Sequence, residues 1–272
     1  MQTNRSTPAN RPKTASNASK LPCTSVIISY NMAYAERTYR NYVKADNLVK
    51  FEVIEKETDL LILADKNLYD KAMPAALKYR GDIEKYIAMD PNFQKSFSPV
   101  GVRSNAPAIV KAMAGAARKV NVGPMAAVAG AVAEFVGREL LAFTEEIIVE
   151  NGGDIFLKIN QPRKVGIYAG GSSFSEKIAL ELEPRPKPFS VCTSSGTVGP
   201  SFSFGKADAV VIIAESACLA DAAATAIGNV VKEISDIEQG LKLAKRIKGL
   251  DGVLIIKDDQ LGALGKVKIV PI

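Results

Sequence analysis

The sequence predicts an α+β fold. Residues 177–183 alternate apolar and charged side chains with the two-residue period of a strand that buries one face. Residues 209–214 form a continuous apolar, largely β-branched run that reads as a fully buried strand. Residues 108–119, 124–141 and 215–229 are alanine-rich, which favours helix. Strand and helix segments alternate, and no internal repeat is visible. At 272 residues, 47% of them apolar, the chain can bury a substantial core without disulfides.

The elements follow in order. Residues 1–20 are rich in Ser, Thr, Asn and Pro with scattered basic residues, a composition expected to be disordered. Residues 1–31 are expected to be a disordered tail or a mis-called start, with Met32 as the alternative first residue and 32–272 as the folded domain. Residues 51–57 and 60–64 suggest a hairpin turning at Thr58-Asp59. Residues 67–88 are helical, interrupted near Pro74 and Gly81 and ended by Asp90-Pro91. Helices at 108–119 and 124–141 come next, the second with Pro124 in its first turn. Residues 145–159 form a hairpin around Asn151-Gly152-Gly153, because Asn-Gly supplies the positive φ that a tight turn needs. Strands at 164–168 and 177–183 lead to an exposed connection marked by Pro184, Pro186 and Pro188. Residues 191–199 read as a Ser/Gly loop. After the helix at 215–229, Ser235 and Glu238 form a capping box for a helix closed by Gly249. Final strands lie at 253–256 and 267–270.

Composition excludes several functions. There is no histidine, which removes Ser-His and Cys-His nucleophile pairs, histidine zinc sites and histidine-ligated haem. The net charge is +6, but Arg5, Arg11, Lys13 and Lys20 lie in the tail, so the body does not have the charge of a nucleic-acid-binding protein. The apolar stretch 26–29 is too short for a signal core or a span, and the charges around 118–138 argue against a membrane helix there. Three cysteines, Cys23, Cys192 and Cys218, have no metal-like spacing and fit a reducing cytoplasm.

Three segments carry candidate chemistry. Asp221 and Thr225 are four apart among small side chains, on one helix face near a helix start, where their oxygens suit a hard cation such as Mg²⁺. The structural alternative makes Asp221 the N-terminal cap of a tightly packed helix. Asp154 leaves the Gly-Gly turn. The hydroxyl- and glycine-rich stretch 191–199 lets backbone N–H groups approach a phosphate or a flavin edge. Cys192 opens that stretch, where N–H dipoles could lower its pKa, with packing as the alternative.

The order Asn-Gly-Gly-Asp-Ile (151–155), Thr-Ser-Ser-Gly (193–196) and Ala-Asp-Ala-Ala-Ala-Thr-Ala (220–226) resembles the ApbE-like superfamily, whose characterised members are Mg²⁺-dependent FAD:protein FMN transferases. The chain is more similar to a UPF-type archaeal and bacterial branch of that superfamily, from about Tyr34 onward, including residues 122–134 and 196–208. The resemblance implies a T-fold-like pair of α/β subdomains around a ligand cleft. It nominates Asp221 and Thr225 for the metal. For the flavin-nucleotide pocket it nominates Asn151, Gly152, Gly153 and Asp154 with Thr193, Ser195 and Gly196. Two departures stand out. The transferases carry Lys-Gly where this chain has Ala129-Gly130, and a His-containing segment where it has residues 198–206.

Two functions are therefore expected. One is an ApbE-like protein binding FAD or FMN, cytoplasmic, and transferring FMN to an acceptor protein's hydroxyl if active as an enzyme. The other keeps the fold without that chemistry, as an accessory or sulfur-carrier protein in sulfur assimilation and homocysteine formation, with Cys192 as the carrier. A purely structural role, a homo-oligomer and the identity of the small molecule stay open; nucleic acid and membrane are not expected partners.

Overall fold

The computed structural model describes Met1, Arg40, 47–198 and 203–272. The expected disordered tail at 1–31, the start at Met32 and Cys23 lie outside these residues. The elements below belong to the unit Ala35–Ile272.

Strands β1 (Val49–Glu55) and β2 (Thr58–Ala64) pair with Glu55 opposite Thr58, so the turn is Lys56-Glu57 and not Thr58-Asp59. Asp59 is drawn into the sheet because its carboxylate has a buried partner, Arg40 Nη1 at 2.7 Å. Helix α1 (Tyr69–Met89) runs unbroken through Pro74 and Gly81, correcting the expected interruption. Its buried face, including Ala76, Ile83 and Tyr86, offsets the one hydrogen bond that Pro74 removes. A short helix α2 (Asn92–Lys95) and α3 (Ala108–Val120) follow, and Asn121 ends α3 at φ 59°. The helix expected over 124–141 is split into a 3₁₀ turn, Pro124–Ala127, and α4 (Val128–Leu140).

Strands β3 (Ile147–Asn151) and β4 (Asp154–Lys158) form the expected hairpin, with Gly152 and Gly153 at φ 66° and 96°. Strands β5 (Arg163–Gly166) and β6 (Ile178–Leu182) pair with each other. The first residues of the expected loop at 191–199 belong instead to β7 (Phe189–Ser194), because Val191 and Cys192 bury on opposite faces of the sheet. Strand β8 (Ala209–Ala214) is fully buried, and α5 (Ala217–Gly228) follows it. The N-cap of α5 is Ser216, whose side chain accepts the Leu219 N–H. Asp221 is the fifth helical residue, so neither its reading as the cap nor its expected place at the helix start holds. Helix α6 (Ile237–Arg246) is preceded by a capping box formed by Glu233 and Asp236, two residues earlier than expected. Strands β9 (Leu250–Lys257), β10 (Gln260–Gly265) and β11 (Ile269–Pro271) complete the chain. Strand β10 is not expected from the sequence, because it has no β-branched residue.

Eight strands form one sheet in the order β1-β2-β3-β4-β7-β8-β9-β10, and β11-β6-β5 form a second. Every pairing is antiparallel. The large sheet has two halves of one pattern. Strands β1 and β2, helices, then β3 and β4 make the first; β7 and β8, α5 and α6, then β9 and β10 make the second. This arrangement is the expected mixed fold of two α/β halves, and they join where β4 pairs with β7. The helices cover one face, with Phe156 beneath α4 and Ile212 beneath α5. On the other face Leu157, Val191 and Ile213 pack with Leu180 and Leu182 of the small sheet. No single helix among the described residues is long and apolar enough to cross a membrane.

Candidate functional site

The join between the halves brings most of the nominated residues together at one end of the large sheet. Strand β4 starts there and β7 ends there, so Asp154 lies beside Cys192 and Thr193, and the Thr193 N–H donates to Asp154 Oδ1 at 3.2 Å. Helix α5 crosses α4 above them. That crossing requires Gly130, since a Cβ there would fall 2.5 Å from the Ala217 carbonyl oxygen and 2.9 Å from Asp221 Cβ.

The close approach lets each helix cap the other. Asp221 Oδ2 accepts the Gly130 N–H at 2.9 Å, near the start of α4. In return Glu134 Oε2 accepts the Ala217 N–H at 2.7 Å, the Cys218 N–H at 3.3 Å and the Ser216 hydroxyl at 3.1 Å, all at the start of α5. The peptide group joining Ala129 to Gly130 is held at both ends: Asp221 accepts from its N–H, and Asn151 Nδ2 donates to its carbonyl at 3.1 Å. A carboxylate near a helix N-terminus also interacts favourably with the helix dipole.

The electrostatics of this cluster are unusual. Burial pushes the Asp221 carboxyl up to about 7, against the opposing pull of the Gly130 and Ala129 N–H groups. Burial, and then the neighbouring charge of Asp221, hold Asp154 well above the usual carboxylate range, although Cys192 and the Thr193 N–H pull it down. Two acidic groups thus lie near each other in a poorly solvated place, and desolvation favours the protonated form of each. Thr225 follows Asp221 by one turn, is partly exposed, and its hydroxyl has no hydrogen-bond partner among the described residues. The same residues include no group of three or more His, Cys, Asp or Glu side chains arranged to hold a metal.

Cys192 is fully buried, and its thiol donates to the Ala217 carbonyl at 3.6 Å. Burial, then Asp154 and Asp221, push this thiol up, opposite in direction to the lowering expected from loop N–H dipoles. A sulfur carrier needs an accessible thiolate. With Cys23 replaced by Ser, the native protein is expected to leave Cys192 and Cys218 unlabelled by a thiol reagent until it is unfolded. Rapid native labelling of Cys192 would restore the carrier reading.

Ser195 and Gly196 lie past the end of β7 and shape the loop there. The Ser195 hydroxyl accepts the Thr197 and Val198 N–H groups at 3.1 and 3.0 Å, and the Gly196 N–H donates to the Ala207 carbonyl at 2.8 Å. Gly152 and Gly153 form the hairpin tip, where the Gly153 N–H donates to Glu150 Oε1 at 2.7 Å. Of the segment replacing the transferases' histidine region, residues 199–202 lie outside the described residues. Sequence reasoning missed Gly130 and Glu134 as parts of the site. The available signal was a carboxylate, Glu134, among the Gly, Ala and Val residues of 128–133: such a charge needs a buried partner.

Residues 40–259 match the model of a protein family described as AbpE bacteria. The chain is similar to the UPF0280 protein of Methanocaldococcus jannaschii, at 44% identity over 224 residues, covering 80% of this chain and 91% of that protein. It is also similar to the UPF0280 protein of Methanocella arvoryzae, at 39% identity over 212 residues, covering 78% and 86% of the two chains. Among solved structures, the flavin transferase ApbE from Vibrio cholerae aligns with a TM-score of 0.47 at 13% identity, covering 80% of this chain and 96% of that one.

Proposed function

We propose, from the premise that the chain belongs to the AbpE bacteria family and groups with the UPF0280 proteins, that it binds a flavin nucleotide at the join of its two halves. In this reading Asp221 and Thr225 hold Mg²⁺, while Asn151, Gly152, Gly153, Asp154, Thr193, Ser195 and Gly196 border the nucleotide. The observation that carries the reading is the neighbouring pair Asp154 and Asp221, two poorly solvated carboxylates, of which Asp154 is raised further by the charge of Asp221. A hard divalent cation would remove that penalty, and it takes oxygen donors of this kind together with phosphate oxygens and water.

The residues present fit such an ion. One Asp221 oxygen accepts the Gly130 N–H, which fixes the carboxylate's orientation. When bound, Mg²⁺ would supply charge neutralisation at a pyrophosphate. The chain's own part is to hold the two carboxylates rigidly, through the clamped Ala129-Gly130 peptide group and the Thr193 N–H, and to keep Cys192 out of reach as packing. Transfer of FMN from FAD to a protein hydroxyl is the finer form of the proposal; developing phosphate charge would meet the metal and backbone donors.

Native mass spectrometry of the full chain with FAD, in Mg²⁺ and in EDTA, tests the proposal. The expected result is one retained flavin nucleotide that depends on Mg²⁺. No retention at millimolar Mg²⁺ would overturn it.

A further inference from the structure

Beside this site, on the same end of the large sheet, lies a cavity of about 460 Å³ lined by Lys206, Lys232 and Lys257, with Glu233, Ser235 and Asp258. The three lysines come from separate parts of the chain: the segment entering β8, the segment following α5, and the end of β9. The fold forces the first two together. The Lys206 N–H donates to the Val231 carbonyl at 2.7 Å, so Lys206 sits beside Lys232 in space. Gly205 makes that approach possible, since a Cβ there would fall 1.8 Å from the Gly228 carbonyl oxygen.

The local carboxylates are already committed. Asp258 Oδ1 accepts from Lys257 Nζ at 2.6 Å. Behind it, Asp208 accepts the Asp258 N–H at 2.6 Å and the Thr197 hydroxyl at 2.9 Å. The Glu233 side chain is turned to backbone N–H as the helix cap. Lys206 and Lys232 make no ion pair among the described residues. Two exposed lysines are thus brought to neighbouring backbone positions by one hydrogen bond, both lining a cavity large enough for a small anion, with Ser235 on its wall. Like charges so placed repel, and an anion between them reverses the sign of the interaction.

We infer that the cavity between Lys206 and Lys232 is a binding site for a phosphoryl group, distinct from the Asp154 and Asp221 cluster and independent of a metal ion. From Asp154 on β4 to Lys257 on β9 the sheet spans three strand spacings, roughly 15 Å. The phosphate belongs either to a free inorganic anion or to a mononucleotide, and the two are separable because only the second gains from contacts beyond its phosphate.

The test does not depend on the flavin proposal, because it is run in EDTA without FAD. Thermal shift and calorimetry follow inorganic phosphate, AMP and FMN at constant ionic strength, balanced with chloride. Saturable stabilisation by phosphate is expected in wild type. Lys206→Ala and Lys232→Ala are each expected to weaken binding about tenfold, the scale of one charge-assisted hydrogen bond, and the double variant to lose it. Lys242→Ala, on an exposed face of α6 and paired with Glu238, should leave binding unchanged. Tighter binding of AMP or FMN than of phosphate, lost in the same variants, would assign a nucleotide; equal binding would assign the free anion. Absence of saturation, or saturation that persists in the double variant, overturns the site.

Discussion

Asp221→Asn is expected to weaken Mg²⁺-dependent FAD binding by one to two orders of magnitude while leaving the metal-free protein folded. Asn keeps an oxygen for the Gly130 N–H, so the cap on α4 survives, but the formal charge that would attract a divalent ion is gone. The same substitution carries a signature in pH. The Asp221 carboxyl is raised to about 7, above the value near 4 that an aspartate has in an unfolded chain. The folded state therefore binds more protons than the unfolded state between those limits. The contribution of this group is fully present below pH ~4 and is lost as pH rises to ~7. In EDTA, wild type should lose on the order of 4 kcal/mol across that window, and Asp221→Asn should have a flatter profile. Mg²⁺ reverses the trend in wild type, because it binds the ionised pair; its stabilising effect should be larger at pH 8 than at pH 6. Thr225→Val should move metal dependence the same way, more weakly. Melting curves at three pH values, with and without Mg²⁺, would decide. Equal metal dependence in wild type and both variants would reduce Asp221 to a helix cap.

Glu134→Ala is expected to have the largest effect on stability, a loss of about 3 kcal/mol or more. Its carboxylate is the shared acceptor for the Ser216 hydroxyl and the Ala217 and Cys218 N–H groups, and its other oxygen pairs with Arg138 at 2.8 Å. Truncation leaves the N–H groups of a buried helix start without an acceptor and opens a cavity at the α4–α5 crossing. Glu134→Gln keeps one acceptor oxygen and the volume, so it should recover more than half of the loss. Urea denaturation of the three proteins measures the difference. If Glu134→Ala unfolds at the same midpoint as wild type, the reciprocal capping of the two helices has no energetic weight. Because both helices flank Asp221, Glu134→Gln should also leave Mg²⁺-dependent binding nearly intact. That separates a packing role for Glu134 from the ligand role proposed for Asp221.

Much of the fold was legible in the residues. Strand β8 is a run of six apolar residues that no amphipathic surface element tolerates, and the Gly152-Gly153 turn fixes the β3–β4 hairpin because both positions need positive φ. The motif order around Asp154, Thr193 and Asp221 identified the family, which the similarity over residues 40–259 bears out. The errors also have local causes. Local propensity at Pro74 and Thr58-Asp59 is overruled by burial: at Pro74 by the packed face of α1, and at Asp59 by Arg40. The expected Ser235 box is displaced because Glu233, an uncommon N-cap, captures the Asp236 N–H two residues earlier.

The sequence by itself determined most of the helices and strands, the Gly152-Gly153 turn and which acidic and hydroxyl residues to watch, because those depend on contacts within a few residues. Tertiary structure alone decided what those residues meet. Asp154 and Asp221 are 67 positions apart in the chain, and only the β4–β7 pairing and the Gly130 crossing bring them into one poorly solvated place, where desolvation raises both carboxyls and the charge of Asp221 raises Asp154 further. The burial of Cys192 was decided in the same way: a thiol in a Ser/Gly stretch looks reactive until β7 enters the middle of the sheet and α5 covers it.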